Sequence, residues 1–467
     1  MNQRCLRLGC VFVLLVFCLA PLVAQAQTYT WNAFTAGPYD WTNQTYWGAG
    51  SGGYPNGEGV SAVITGDVPL GPLIISLNRD ITLGRLEMAD TAGTPRAMYI
   101  TNDLNGSLVF QDTSGTATLA RTDTYLSGVE SSIYVPVTLS STLNMTLITW
   151  GVRFSGAITG SGGIIKNGAG LLTLTASNSF AGDLVINDGR VLINNNSAMP
   201  SGTGKGSIEV NANGVLDCAT TAPIINGLRG EGIVSNSSTA YSPVLKIGAN
   251  SQDSVFSGSI RDKTKPLSIE KQGSGTLTLS GNNTYTGTTS VANGVLLVNG
   301  THSNAGEGKG YAVSGSGSTL GGSGTISLNN ASVTFVAGSK LSPGAAPGAA
   351  GTLTLALGTG TNNLSAAMAG SSGALVFDLG LTNDKVTVTS GKLAIGTGQL
   401  DFGDFAFTIG AGLGGGTHVL LHATDGVVGS LGGAVTTNIA GLNLTLRLDG
   451  SDIVLDVPRR GTMISIK

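Results

Sequence analysis

The residues best placed to do chemistry are a few acids and histidines. Asp401 and Asp404 flank Phe402-Gly403, and Asp449, Asp452 and Asp456 lie close together further on. Two carboxyls held about 5–9 Å apart can cleave a glycosidic bond, one as acid and the other as base or nucleophile. The competing reading is that sparse acids decorate turns and cap strands in a chain only 11% charged. That reading is favoured, because no cluster of calcium-binding carboxylates beside an Arg or Lys base, as lyase chemistry on acidic sugars usually wants, stands out. His418 and His422 are four apart, which suits a zinc pair on a helix. On a strand the same spacing leaves their backbones about 13 Å apart. The third histidine, His302, stands alone.

Two glycine motifs are also weak. Gly410–Gly415, GAGLGG, fits G-x-G-x-x-G, but the HVLL after it reads as a strand and a dinucleotide needs a helix N-terminus there. GGSGTISLN (321–329) approaches a calcium-binding nonapeptide but carries Ile326 where a ligating Asp is required. No catalytic residue, metal site or cofactor is therefore predicted. The strongest chemical feature is aromatic: Tyr29, Trp31, Phe34, Tyr39, Trp41, Tyr46, Trp47 and Tyr54 crowd one short stretch. Bulky rings there would cap the exposed end of a stacked fold. The alternative is a sugar-stacking platform, with Trp31, Trp41 and Trp47 as the candidate residues.

The elements that would hold these residues are strands. Gly supplies 72 of 467 residues, and amphipathic helices rich in Lys and Glu are lacking. Residues 166–194 and 271–299 align without a gap at an offset of 105, with 11 identities in 29 positions. Lys166 matches Lys271, Leu172 and Leu174 match Leu277 and Leu279, and Asn178 matches Asn283. Leu277 and Leu279 alternate with Thr276, Thr278 and Ser280, as in a half-buried strand, and Leu296 and Val298 repeat the pattern. The 19 residues from Leu277 to Leu296 make about one solenoid coil, so 105 reads as five coils of 21. Asn283, at a corner, could place its amide in a ladder. The predicted fold is all-β, a right-handed parallel β-helix, with residues 341–467 either continuing it or forming a more irregular, sandwich-like region.

The remaining composition bounds the setting. Residues 1–26 read as a signal peptide: Arg4 and Arg7, an apolar run from Val11 to Ala20, then Ala24-Gln25-Ala26. The expected organisation is that leader, an aromatic-rich cap with first coils at 27–100, a β-helix at 101–340 and a C-terminal β region at 341–467. Only Cys218 remains after the leader, so no internal disulfide is expected, and its VLDCAT context suits a small buried hydrophobe. A net charge of −3 without a basic run disfavours nucleic acid. No integral membrane segment is expected after leader removal.

The string GSGTLTLSGNNTYTGTTSVANGVLLVN at 273–299 resembles the autotransporter-associated β-strand repeat of bacterial passenger domains, and 166–194 resembles it less closely. LSPG and GTLTL (341–355), with LVFDLG and KVTVTSG (375–391), resemble the segment that usually succeeds such repeats in that family. The resemblance implies an exported, exposed β-helix and no single activity. A translocator barrel is not read here, because no Trp, Tyr or Phe occurs after Phe407. The expected function is a secreted, non-catalytic surface or matrix protein, adhesive or structural, with extracellular glycans or surface proteins as partners. A polysaccharide lyase or hydrolase on the same scaffold is the alternative.

Overall fold

In the computed structural model the description covers residues 27–459, apart from 36, 49–51, 69–70, 93–95, 103–104, 124–129, 347, 370–371 and 434. The proposed leader lies outside the described residues. Almost every described element is a strand, and the one α-helix is the single turn Ser365–Met368. Short strands stack in parallel register coil upon coil, which makes the chain a parallel β-helix. Side chains alternate across each rung. Accordingly Leu277, Leu279, Leu296 and Val298 are buried, while Thr276 and Thr278 face outward. Leu277 stacks on Leu296 and Leu279 on Val298. One continuous apolar core runs the length of the molecule.

Three faces can be followed. The first runs through Thr142–Leu147, Ile164–Asn167 and the start of Leu184–Ile193, then on to Thr276–Leu279 and Val295–Val298. The second runs through Val152–Phe154, Leu171–Leu174 and the end of Leu184–Ile193. The third, in its later part, runs through Val244–Ile247, Ser268–Lys271 and Thr289–Val291.

The two sequence repeats do not sit one above the other. Lys166 belongs to a first-face rung, pairing with Met145 and Ile186, whereas Lys271 belongs to the third face, pairing with Ile247 and Val291. Leu172 reaches Val191, Leu216, Val234 and Ile260 in successive coils, and Ile260 is bonded by Thr284 N–H at 2.9 Å. Five coils from Leu172 therefore end near Asn283, one face beyond Leu277. The expected spacing of five equal coils fails because corner loops differ in length, while rung register depends only on the strands. The same side-chain pattern is thus read on two different faces.

The C-terminal part continues the solenoid with larger coils. Thr352–Asn363 pairs in parallel with Lys385–Leu400, and Leu375–Leu379 with Phe405–Ile409. The direction reverses at the C-terminal end, where Asp452–Val457 pairs antiparallel with Gly416–Ala423, Leu442–Asp449 with Asp452–Val457, and Thr436–Ile439 with Leu442–Asp449. At the other end Thr28–Trp31 pairs in parallel with Ser61–Gly66 and antiparallel with Trp47–Gly48.

Candidate functional site

The acids singled out in the sequence are occupied locally. Asp401 and Asp404 cap the turn Phe402–Asp404: Asp401 accepts from Gly403 N–H at 2.7 Å, and Asp404 accepts from Asp401 N–H at 2.8 Å. Asp449 and Asp456 both pair with Arg447, at 2.7 and 3.1 Å, and Thr417 donates to Asp456. Asp452 pairs with His422 at 2.6 Å. His418 instead meets Asn383 and the Gly414 carbonyl, both at 2.8 Å. The strand holding both histidines is irregular between Val419 and Leu421, so they contact different partners. Among the described residues no group of three metal-ligating side chains occurs. Gly410–Gly415 leads into the strand Gly416–Ala423, and Ile326 is buried in the core.

Trp31, Trp41 and Trp47 are 1%, 0% and 7% exposed. Trp47 lies 4.8 Å from both Trp31 and Trp41, ring centre to ring centre, and Tyr39 and Tyr46 pack on Trp31. Trp41 donates its indole N–H to the Pro55 carbonyl at 3.0 Å, and Trp47 donates to the Trp41 carbonyl at 2.7 Å. Their faces are filled by one another, so as folded none offers a sugar an open ring. Cys218 is buried, and burial pushes its thiol pKa up.

Sequence reasoning missed three polar devices. The first is built twice. Lys271 is 1% exposed, and its ammonium donates to the carbonyls of Gln272, Gly273 and Asn293 at 2.6, 2.7 and 3.2 Å. Lys166 donates likewise to Asn167, Gly168 and Asp188 at 3.1, 2.5 and 3.1 Å. Burial pushes both ammonium groups down to about 8. The available signal was a lysine matched between repeats in a chain with few charges.

The second device is an asparagine ladder. Asn167 donates to Asn144 at 2.6 Å, Asn187 to Asn167 at 2.7 Å and Asn211 to Asn187 at 2.7 Å. Asn283 is outside it: its side-chain oxygen accepts from Ile260 N–H at 2.9 Å, as Asn178 accepts from Ile158 N–H at 2.8 Å.

The third is a histidine enclosed by two tyrosines. His302 stacks on Tyr285 at 4.0 Å, donates from Nε2 to the Tyr285 carbonyl at 3.0 Å, and accepts from Tyr311 Oη at Nδ1, 2.6 Å away. Burial lowers its pKa to about 4. The folded state thus holds the neutral ring while the unfolded chain protonates near 6.5. This contribution to stability is complete above pH 6.5 and disappears as pH falls toward 4, a loss of about 3 kcal/mol. Asp384 acts oppositely: burial raises it to about 6, so its share of stability falls as pH rises through that range. Urea midpoints of the native chain and a His302→Gln variant should therefore diverge between pH 6.5 and 4. Parallel curves would rule out the enclosed neutral ring.

The surface offers shallow grooves. One, about 660 Å³, is open and is lined by Arg229, Asp253, Val255, Thr276, Thr278 and Ala345 among others. Among the described residues no helix is long and apolar enough to cross a membrane.

Comparison with known proteins adds two findings. The sequence model of the passenger-associated-transport-repeat family matches residues 164–193 and 269–298, the segments that carry the two caged lysines. Over 258 residues the chain is 28% identical to the adhesin BmaC autotransporter of Brucella suis biovar 1 (strain 1330). The aligned segment is 53% of this chain and spans 7% of that protein's length.

Proposed function

From two passenger-associated-transport repeats set in a parallel β-helix, we propose that the chain is an exported surface module, a non-catalytic rod for adhesion or matrix construction. The observation that carries this reading is the repeat itself, matched twice and folded as coils of one solenoid. The similarity to an autotransporter adhesin agrees with it.

The chemistry of the faces supports the same reading. Outward columns are short hydroxyls and amides, as where Thr138 meets Thr159 at 3.2 Å and where the asparagine ladder climbs four rungs. Each contact such a face offers is weak, and repetition along a rod makes the sum strong. The partners proposed are extracellular glycans or surface proteins, meeting those columns rather than the enclosed tryptophans. Residues 27–100 serve as the aromatic cap with the first coils, 101–340 as the rod and 341–467 as its C-terminal continuation. Asp401 and Asp404 are committed to a turn cap, and Asp449, Asp452 and Asp456 to Arg447 and His422.

Protease added outside intact producing cells tests this directly. The protein should be digested while a cytoplasmic marker survives, and immobilised glycans or matrix proteins should retain the purified chain. Protection until the cells are lysed would sink the proposal.

A further inference from the structure

The outer surface of the first face carries a cleft with one closed end. Arg229, Val255, Thr278 and Leu297 hold the same outward position in four successive coils. Val255 is 55% exposed, yet Leu297, which also faces outward, is only 4% exposed. A segment that folds back over the Leu297 rung makes the difference. Gly344 forms an antiparallel bridge with Gly322, and the Asn299 side-chain amide donates to the Ala345 carbonyl at 2.8 Å. Leu297 and Ala346 line both the 660 Å³ groove and a second groove of about 210 Å³, so the segment stands between the two. The larger groove is thus stopped at Ala345 and Ala346 and opens toward the exposed Arg229.

We propose that this groove binds a short neutral oligosaccharide lying along the rod, a proposal that rests on the surface-module reading above. Its volume falls within the range of about 300–1,000 Å³ usual for ligand sites. Three coil steps from Arg229 to Leu297 give it a length of about 14 Å. Arg229 and Asp253 are the charged residues that line it, one of each sign, so the groove favours a ligand without net charge.

The side chains also offer the right mixture of contacts. Among the described residues the side chains of Arg229, Thr276 and Thr278 have no hydrogen-bond or ionic partner in the chain, which leaves them free for hydroxyl groups. Exposed Val255 sets an apolar patch between them, suited to the C–H face of a sugar ring. A peptide fits less well. The rungs Ser254–Phe256, Thr276–Leu279 and Val295–Val298 are each paired on both sides, so the groove presents no strand edge to a peptide backbone.

The test applies the purified full chain to an array of immobilised neutral oligosaccharides: β-linked glucans, chito-oligosaccharides, and chains of mannose and galactose. At least one should retain it, and calorimetry then gives the affinity. Thr278→Trp fills the groove, whereas Thr138→Trp sets the same ring outward on a different sheet. The first should weaken binding by about ten-fold or more and the second should leave it unchanged. Arg229→Ala should weaken binding by about ten-fold without moving the urea midpoint, because that side chain has no partner in the chain to lose. Retention by none of the sugars, or binding that survives Thr278→Trp, would overturn the proposal. Neither result bears on surface location, which the protease experiment decides separately.

Discussion

Gly294→Ala should lower the unfolding free energy by about 3 kcal/mol, although it adds one methyl group. Gly294 sits at φ +68°, and a Cβ built there would lie 2.4 Å from the carbonyl oxygens of both Gly273 and Gly275, and 2.8 Å from the Lys271 ammonium. Left-handed backbone costs an alanine about 1–2 kcal/mol, and overlap with fixed carbonyls adds about 1–3 more. Those carbonyls belong to the coil beneath, so relief requires parting two rungs. Gly189, the matching residue in the other repeat, has φ +71° and carbonyls of Gly168 and Gly170 at 2.5 and 2.6 Å. Gly308 provides the control: its φ is +67°, but nothing lies within 4 Å of its Cβ position. Urea denaturation should show Gly308→Ala costing only the backbone share. Equal losses at the two positions would show that the coils are not in the contact described.

Lys271→Met should cost a similar amount, about 3–4 kcal/mol, from the loss of three hydrogen bonds. Methionine keeps most of the volume but cannot donate, so the carbonyls of Gln272, Gly273 and Asn293 lose their shared partner inside a corner. Even lowered to about 8, the group remains largely protonated at neutral pH and can supply all three donors. Lys166→Met should behave alike, and the double variant should lose nearly the sum, because the cages share no partner. Thermal or urea unfolding would decide this. A loss below about 0.5 kcal/mol, the level of an ordinary surface change, would mean that these lysines are incidental.

The parts of this fold legible in the sequence are those governed by local alternation. Leu277 and Leu279 against Thr276 and Thr278 fix which side of a rung is apolar, and the aligned glycines mark corners. Stacking phase was not legible, because it depends on summed loop lengths: Leu172 to Val191 takes 19 residues, whereas Val191 to Leu216 takes 25. The lysine cages were hidden for a related reason. Gln272 and Gly273 adjoin Lys271 in sequence, but Asn293 is brought in only by the next coil. Trp31, Trp41 and Trp47 could be ranked as cap or platform from sequence, but their exposure required the mutual packing of the rings. The partners of the acids were not legible either: Asp401 and Asp404 cap a turn, while Asp449 and Asp456 pair with Arg447 and Asp452 with His422.

Distances between paired spin labels test the stacked coils most directly. Thr118, Asn144, Ile165, Val185, Glu209 and Arg229 trace one outward column, which Val255 continues to Thr278. With Cys218 and the other cysteines replaced, labels at Thr278 and, in turn, at Val185, Ile165 and Thr118 should lie about 19, 24 and 34 Å apart, one rung spacing per coil crossed. Separations that fail to grow with the number of coils would contradict the β-helix itself.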